Sequence, residues 1–90
     1  MNDTRMLVGS LSNDLFRVAN LAQRGSNEAA SRFAREAKRW ATPLLERETH
    51  PYIKKIAADV AKQKEDKISI ELAEKYLMYG ILLQNYALYI

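Results

Sequence analysis

Residues 4–24 read TRMLVGSLSNDLFRVANLAQR. Leu7, Val8, Leu11, Leu15, Val18 and Ala22 recur at helical spacing and share one face. Ser12, Asn13, Arg17, Asn20 and Gln23 fall on the other. Twenty-one residues of this pattern make a helix rather than a strand. Gly25 follows as a natural stop, because glycine takes the left-handed conformation that ends a helix. Phe16 lies off the apolar stripe. It is either a half-exposed ring against a neighbouring helix or a contact for another chain.

Helical periodicity resumes beyond Gly25. Ser26 or Asn27 caps a second helix, with Glu28 in its favourable first turn. Phe33, Ala37, Trp40 and Leu44 predict its buried stripe. Pro43 lacks a backbone donor and restricts Thr42, so a break or kink is expected near residues 41–43. The link around residues 24–27 is short, which packs the first two helices antiparallel. A third helix is expected from about 50 to 65, with Pro51 in its first turn and Ile53, Ile56, Ala57 and Val60 buried. Glu65, Asp66 and Lys67 form the following turn. Ser69 caps a fourth helix that runs to about 88.

The fold class is therefore all-α: one domain over residues 1–90, a small bundle of three to four antiparallel helices, the second broken or kinked near Pro43. Expected core positions are Leu11, Leu15, Val18, Phe33, Trp40, Ile53, Ile56, Val60, Leu72, Tyr76 and Leu77. A hydrophobic fraction of 48% with 28% charged residues is a globular composition. With 3 Gly and 2 Pro, the tight turns of a β-sandwich are not provided for.

Lys67-Ile68-Ser69-Ile70-Glu71-Leu72-Ala73 resembles the loop-to-helix junction of histone-fold proteins. There an isoleucine precedes a capped helix that begins with an acidic residue. The likeness covers these seven residues. The expected helix at 50–65 is shorter than the long central helix of that family, and no function is carried over.

Catalytic chemistry finds little footing. The chain has no cysteine, which excludes disulfides, thiol nucleophiles and zinc–thiolate sites. His50 is the single histidine and is expected to be solvated or to cap a helix. No serine has a histidine–carboxylate pair to activate it. Gly9, Gly25 and Gly80 are isolated, so no phosphate-cradling loop is present. The expectation is a non-enzymatic protein without catalytic residues, metal or cofactor. The missing cysteines and the lack of a leader-like N-terminal pattern suggest a cytoplasmic location.

Two surfaces invite a partner. After Lys75 no charged side chain occurs, and residues 76–90 read YLMYGILLQNYALYI. Tyr76, Tyr79, Leu83, Tyr86 and Tyr89 form one helix face; Leu77, Ile81 and Leu88 form another. A helix apolar nearly all round must be buried nearly all round. It is either the central helix of the bundle or shared with a second subunit or another protein. Tyrosine suits interfaces because it buries a large area and keeps a polar tip. Tyr79, Leu83, Tyr86, Tyr89 and Phe16 are the expected partner-binding residues of a protein-interaction or self-assembly module. The uncharged run of 15 residues is shorter than the roughly 18–20 needed to span a bilayer, so a membrane role is not expected.

The second surface is basic. Net charge is +3, and six of the seven arginines precede residue 40. Arg32, Arg35, Lys38 and Arg39 lie opposite the expected stripe of the second helix and are candidates for nucleic-acid contact. Glu28 and Glu36 share that side, as on an ordinary salt-bridged helix surface, and no aromatic residue interleaves to stack on bases.

Overall fold

The structure, a computed structural model, describes residues 3–64 and 68–90. It contains four helices: α1 (Asp3–Gln23), α2 (Asn27–Leu44), α3 (Pro51–Lys62) and α4 (Ile70–Ala87). The proposed turn at Glu65, Asp66 and Lys67 lies outside the described residues, as does the first residue of the histone-like junction. The long axis of the molecule measures 36 Å, the other two 21 Å each. A helix of α1's length spans about 32 Å, so the helices run along the long axis.

Local chemistry accounts for each boundary. Gly25 has φ +81, the left-handed value. Its N–H donates to the Ala22 carbonyl at 3.1 Å, and the Ser26 N–H donates to the Leu21 carbonyl at 2.9 Å. These two bonds are the Schellman closure of α1. The Ser26 side chain makes no capping bond to α2. His50 caps α3, its Nδ1 accepting from the Tyr52 N–H at 3.5 Å, with Pro51 at the start of the helix. The Ser69 hydroxyl accepts from the Leu72 N–H at 3.0 Å and starts α4.

The interruption expected at residues 41–43 is displaced. Helix α2 continues through Ala41, Thr42 and Pro43 and stops at Leu44. Pro43 has no N–H to reach the Arg39 carbonyl, and the helix ends one residue later. Three tight bonds close this end: Leu45 to Thr42, Glu46 to Pro43 and Arg47 to Leu44. Helix α3 is also shorter than expected, ending at Lys62.

The ends fix the topology. Arg47, just beyond α2, lies 3.9 Å from Asp3 at the start of α1. The backbone N–H of His50, before α3, donates to the Tyr86 hydroxyl near the end of α4 at 3.3 Å. The bundle therefore runs up, down, up, down.

Its central helix is α1, not α4. Helix α1 packs against α2 on one side and α4 on the other, while α3 packs on α2. The burial pattern of α1 shows this directly. Leu7, Val8, Leu11, Leu15, Val18, Ala19 and Ala22 are buried, and so are Ser12 and Asp14. Ser12, expected on the polar side, is buried because α4 covers that flank.

Helix α2 is rotated from its expected setting. Ala30, Ala34, Ala37, Ala41 and Leu44 form the buried stripe. Phe33 and Trp40 flank it, half-buried. Alanines let α2 approach closely, and the two rings are displaced to the rim of that contact. The indole also needs a hydrogen-bond acceptor. Leu77 is likewise half-buried rather than in the core. Leu11, Leu15, Val18, Ile53, Ile56, Val60, Leu72 and Tyr76 are buried as expected.

Candidate functional site

Helix α4 turns its tyrosine face inward. Tyr76 and Leu83 are fully buried. Tyr79 is half-buried, and its hydroxyl donates to Asp59 Oδ2 on α3 at 2.6 Å. Lys75 reaches the same oxygen at 2.8 Å, with its ammonium 5.8 Å from the centre of the Tyr79 ring. Burial alone would raise the Asp59 pKa; the hydrogen bonds from Lys75 and Tyr79 outweigh it and hold the carboxyl below its ordinary value. Burial, together with the bond to Asp59 and its charge, pushes the Tyr79 phenol up. Tyr86 accepts the bond from His50 and lies 6.1 Å, edge-on, from Tyr52.

Phe16 meets α4 from the other side. A side chain at Gly80 would place its Cβ 3.0–3.2 Å from three atoms of the Phe16 ring. Glycine is thus what lets the ring rest on α4. Beside it, the Ser12 hydroxyl donates to the Gly80 carbonyl at 2.7 Å.

Four of the five expected partner-binding residues therefore engage the chain itself. Leu83 is core, and Tyr79, Tyr86 and Phe16 join α4 to its neighbours. Only Tyr89 of that set stands out, at 85% exposure. The free face is the opposite one. Met78, Ile81, Leu82 and Leu88 are exposed large apolar residues, with exposed Asn85 among them. Leu88 keeps a helical backbone one residue past α4, which continues the face. Together with Tyr89 these side chains leave roughly 500 Å² of apolar surface in one place, near the upper end for a monomer.

The basic residues gather on the outer side of α2. Arg32, Arg35 and Arg39 are exposed and Lys38 is half-buried. Arg39 pairs with Glu36 at 2.9 Å. Aromatic neighbours, not expected there, are provided by the rotation of α2. The Arg39 guanidinium lies 5.7 Å from the centre of the Trp40 ring, and that of Arg17 lies 5.2 Å from Phe33. An open groove of about 300 Å³ between α1 and α2 is lined by Asp14, Arg17, Arg32, Phe33, Glu36 and Trp40, among others.

Asp14 is the buried charge that sequence reading missed. Its Oδ2 accepts from the Trp40 indole N–H at 2.9 Å, and Arg17 lies 3.6 Å from Oδ1. Burial raises its pKa above the ordinary carboxylate value, against the pull of the Trp40 bond and the Arg17 charge. A clue was present: Asp14 sits next to Leu15 and three residues from Leu11, inside the apolar arc of α1.

Among the described residues, no three histidine or carboxylate side chains stand close enough to hold a metal ion. No helix among them is long and apolar enough to cross a membrane. No protein-family description, curated protein or solved structure matches the chain significantly.

Proposed function

We propose that this chain is a non-enzymatic self-assembly module and that the outward face of α4 is its contact surface. The observation that carries this reading is the exposed set Met78, Ile81, Leu82, Leu88 and Tyr89 on a helix whose other face is already buried. The occupant is a second copy of the chain. Two such faces can bury at most about 1,000 Å² of apolar surface between them, the low end for specific association. The chain carries net charge +3, yet no charge falls between residues 76 and 90, so copies meet there without repulsion. The lack of cysteine fits a reducing, cytoplasmic setting. The test is solution mass over a range of concentrations, for the parent chain and for Leu82→Glu. Concentration-dependent association that Leu82→Glu abolishes, with helicity unchanged, supports the reading. A parent chain that stays monomeric at high concentration contradicts it.

A second reading rests on one observation. Arg32, Arg35 and Arg39 face solvent beside two half-exposed aromatic rings, Phe33 and Trp40. That combination of cations and stacking surfaces suits single-stranded nucleic acid. Glu36 and the arginines already stacked on both rings would have to give way.

A further inference from the structure

The exposed residues of α4 have a second property besides being apolar. Met78, Ile81, Leu82, Asn85, Leu88 and Tyr89 fall at i, i+3, i+4, i+7, i+10 and i+11. That is the seam spacing of a coiled coil over two heptads, with Met78 and Asn85 at successive a positions and Ile81 and Leu88 at d. The tyrosine face is filled by the chain's own bundle, so the seam is a separate stripe facing solvent. Its one polar member is Asn85.

We infer that two copies pair through this seam in parallel and in register, with Asn85 of one copy bonded to Asn85 of the other. The inference rests on the self-assembly reading above and adds its geometry. The amide decides the orientation. In a parallel pair each a residue meets its own counterpart, and two asparagine side chains satisfy one another. An antiparallel pair centred between Ile81 and Leu82 sets Asn85 against Met78 of the second copy. Both amides then lose water and gain no partner. Parallel pairing has its own cost, because Glu71 and Glu74, at the preceding a and d positions, each meet their counterpart. Both are exposed at the end of the seam, where water and salt screen the repulsion. A buried unpaired amide on each copy outweighs two screened pairs of surface charges, so the parallel arrangement wins. The same amide restricts the assembly to two chains, since a lone asparagine at an a position sets oligomer number at the expense of stability.

The chain has no cysteine, so single introduced thiols report orientation cleanly. Met78→Cys, Glu74→Cys and Tyr89→Cys are prepared in the full chain, which keeps Asn85, and oxidised mildly, each alone and the last two also mixed, alongside light scattering. Parallel pairing predicts that Met78→Cys alone yields a covalent dimer and that the mixture of Glu74→Cys and Tyr89→Cys yields no cross-linked heterodimer. Positions 74 and 89 would then lie about 22 Å apart along the axis, beyond disulfide reach. A cross-link formed only in the mixture means antiparallel pairing, which overturns the inference and leaves self-assembly standing. A dimer by light scattering without either cross-link places the contact on another face, which overturns the inference and the choice of the α4 face but not self-assembly. A monomer at high concentration overturns the self-assembly reading itself. Asn85→Leu adds a check on the amide: association tightens and species larger than a dimer appear. An unchanged dimer would put Asn85 outside the seam.

Discussion

Ser12 and Gly80 are joined by a buried hydrogen bond across the α1–α4 interface, the serine hydroxyl donating to the glycine carbonyl at 2.7 Å. Four residues along α1, the Phe16 ring lies where a Gly80 side chain would sit. Position 80 is thus fixed twice, by a polar contact and by a steric one. A larger side chain must push Phe16 outward or separate the helices. Gly80→Val is expected to destabilise the fold by roughly 1–3 kcal/mol, the usual cost of overpacking. Phe16→Ala combined with it should recover part of that loss. The check is a double-mutant cycle by urea denaturation, where contacting residues deviate from additivity by at least about 0.5 kcal/mol. Strict additivity would separate the two positions.

Tyr79 links α4 to α3 through its hydrogen bond to Asp59. Tyr79→Phe removes the donor to Asp59 and should cost roughly 1.5–3 kcal/mol, the range for a bond to a charged group. Association should be unaffected. Chemical denaturation and light scattering on the same variant separate the two effects.

Asp14 and Asp59 give opposite pH dependences. The pKa of Asp59 is lowered in the folded chain. Its stabilisation is therefore full above the unfolded value near 3.8 and disappears as pH falls through the lower folded value. The pKa of Asp14 is raised. Its folded form holds the proton more tightly, so stability is lost as pH rises from about 3.8 through the folded value. Asp59→Asn should destabilise at pH 7 and have a smaller effect in acid. Asp14→Asn keeps an acceptor for Trp40 and should remove the loss seen on raising pH. Melting curves between pH 2 and pH 7 test both.

The positions of the helices are legible in the sequence because their punctuation is chemical. Gly25 can turn left-handed, Pro51 can start a helix, and the Ser69 hydroxyl can cap one. Which face each helix buries is less legible. On α2 the large apolar residues Phe33 and Trp40 drew the stripe to themselves, while the surface in contact is an alanine row of weak hydropathy. On α4 both faces are apolar, so the pattern alone could not say which would turn inward. The choice depends on partners remote in sequence: Asp59 to receive Tyr79, His50 to meet Tyr86, and Ser12 and Phe16 to meet Gly80.

The basic face gives a prediction of its own. If α2 contacts nucleic acid, an Arg32→Glu, Arg35→Glu double variant should abolish binding to a single-stranded oligonucleotide. Binding by the parent chain should weaken steeply between about 50 and 200 mM salt. Absence of binding at low salt removes that reading. The variant should fold normally, because both side chains are exposed.

The outward face of α4 is tested most directly by the solution mass of the chain across concentration, with Leu82→Glu measured alongside. The expected result is a dimer whose population grows with concentration, and a Leu82→Glu variant that is monomeric with the same helical content and melting temperature within a few degrees. A parent chain that remains a monomer throughout, or a Leu82→Glu variant that still forms the dimer, would contradict it.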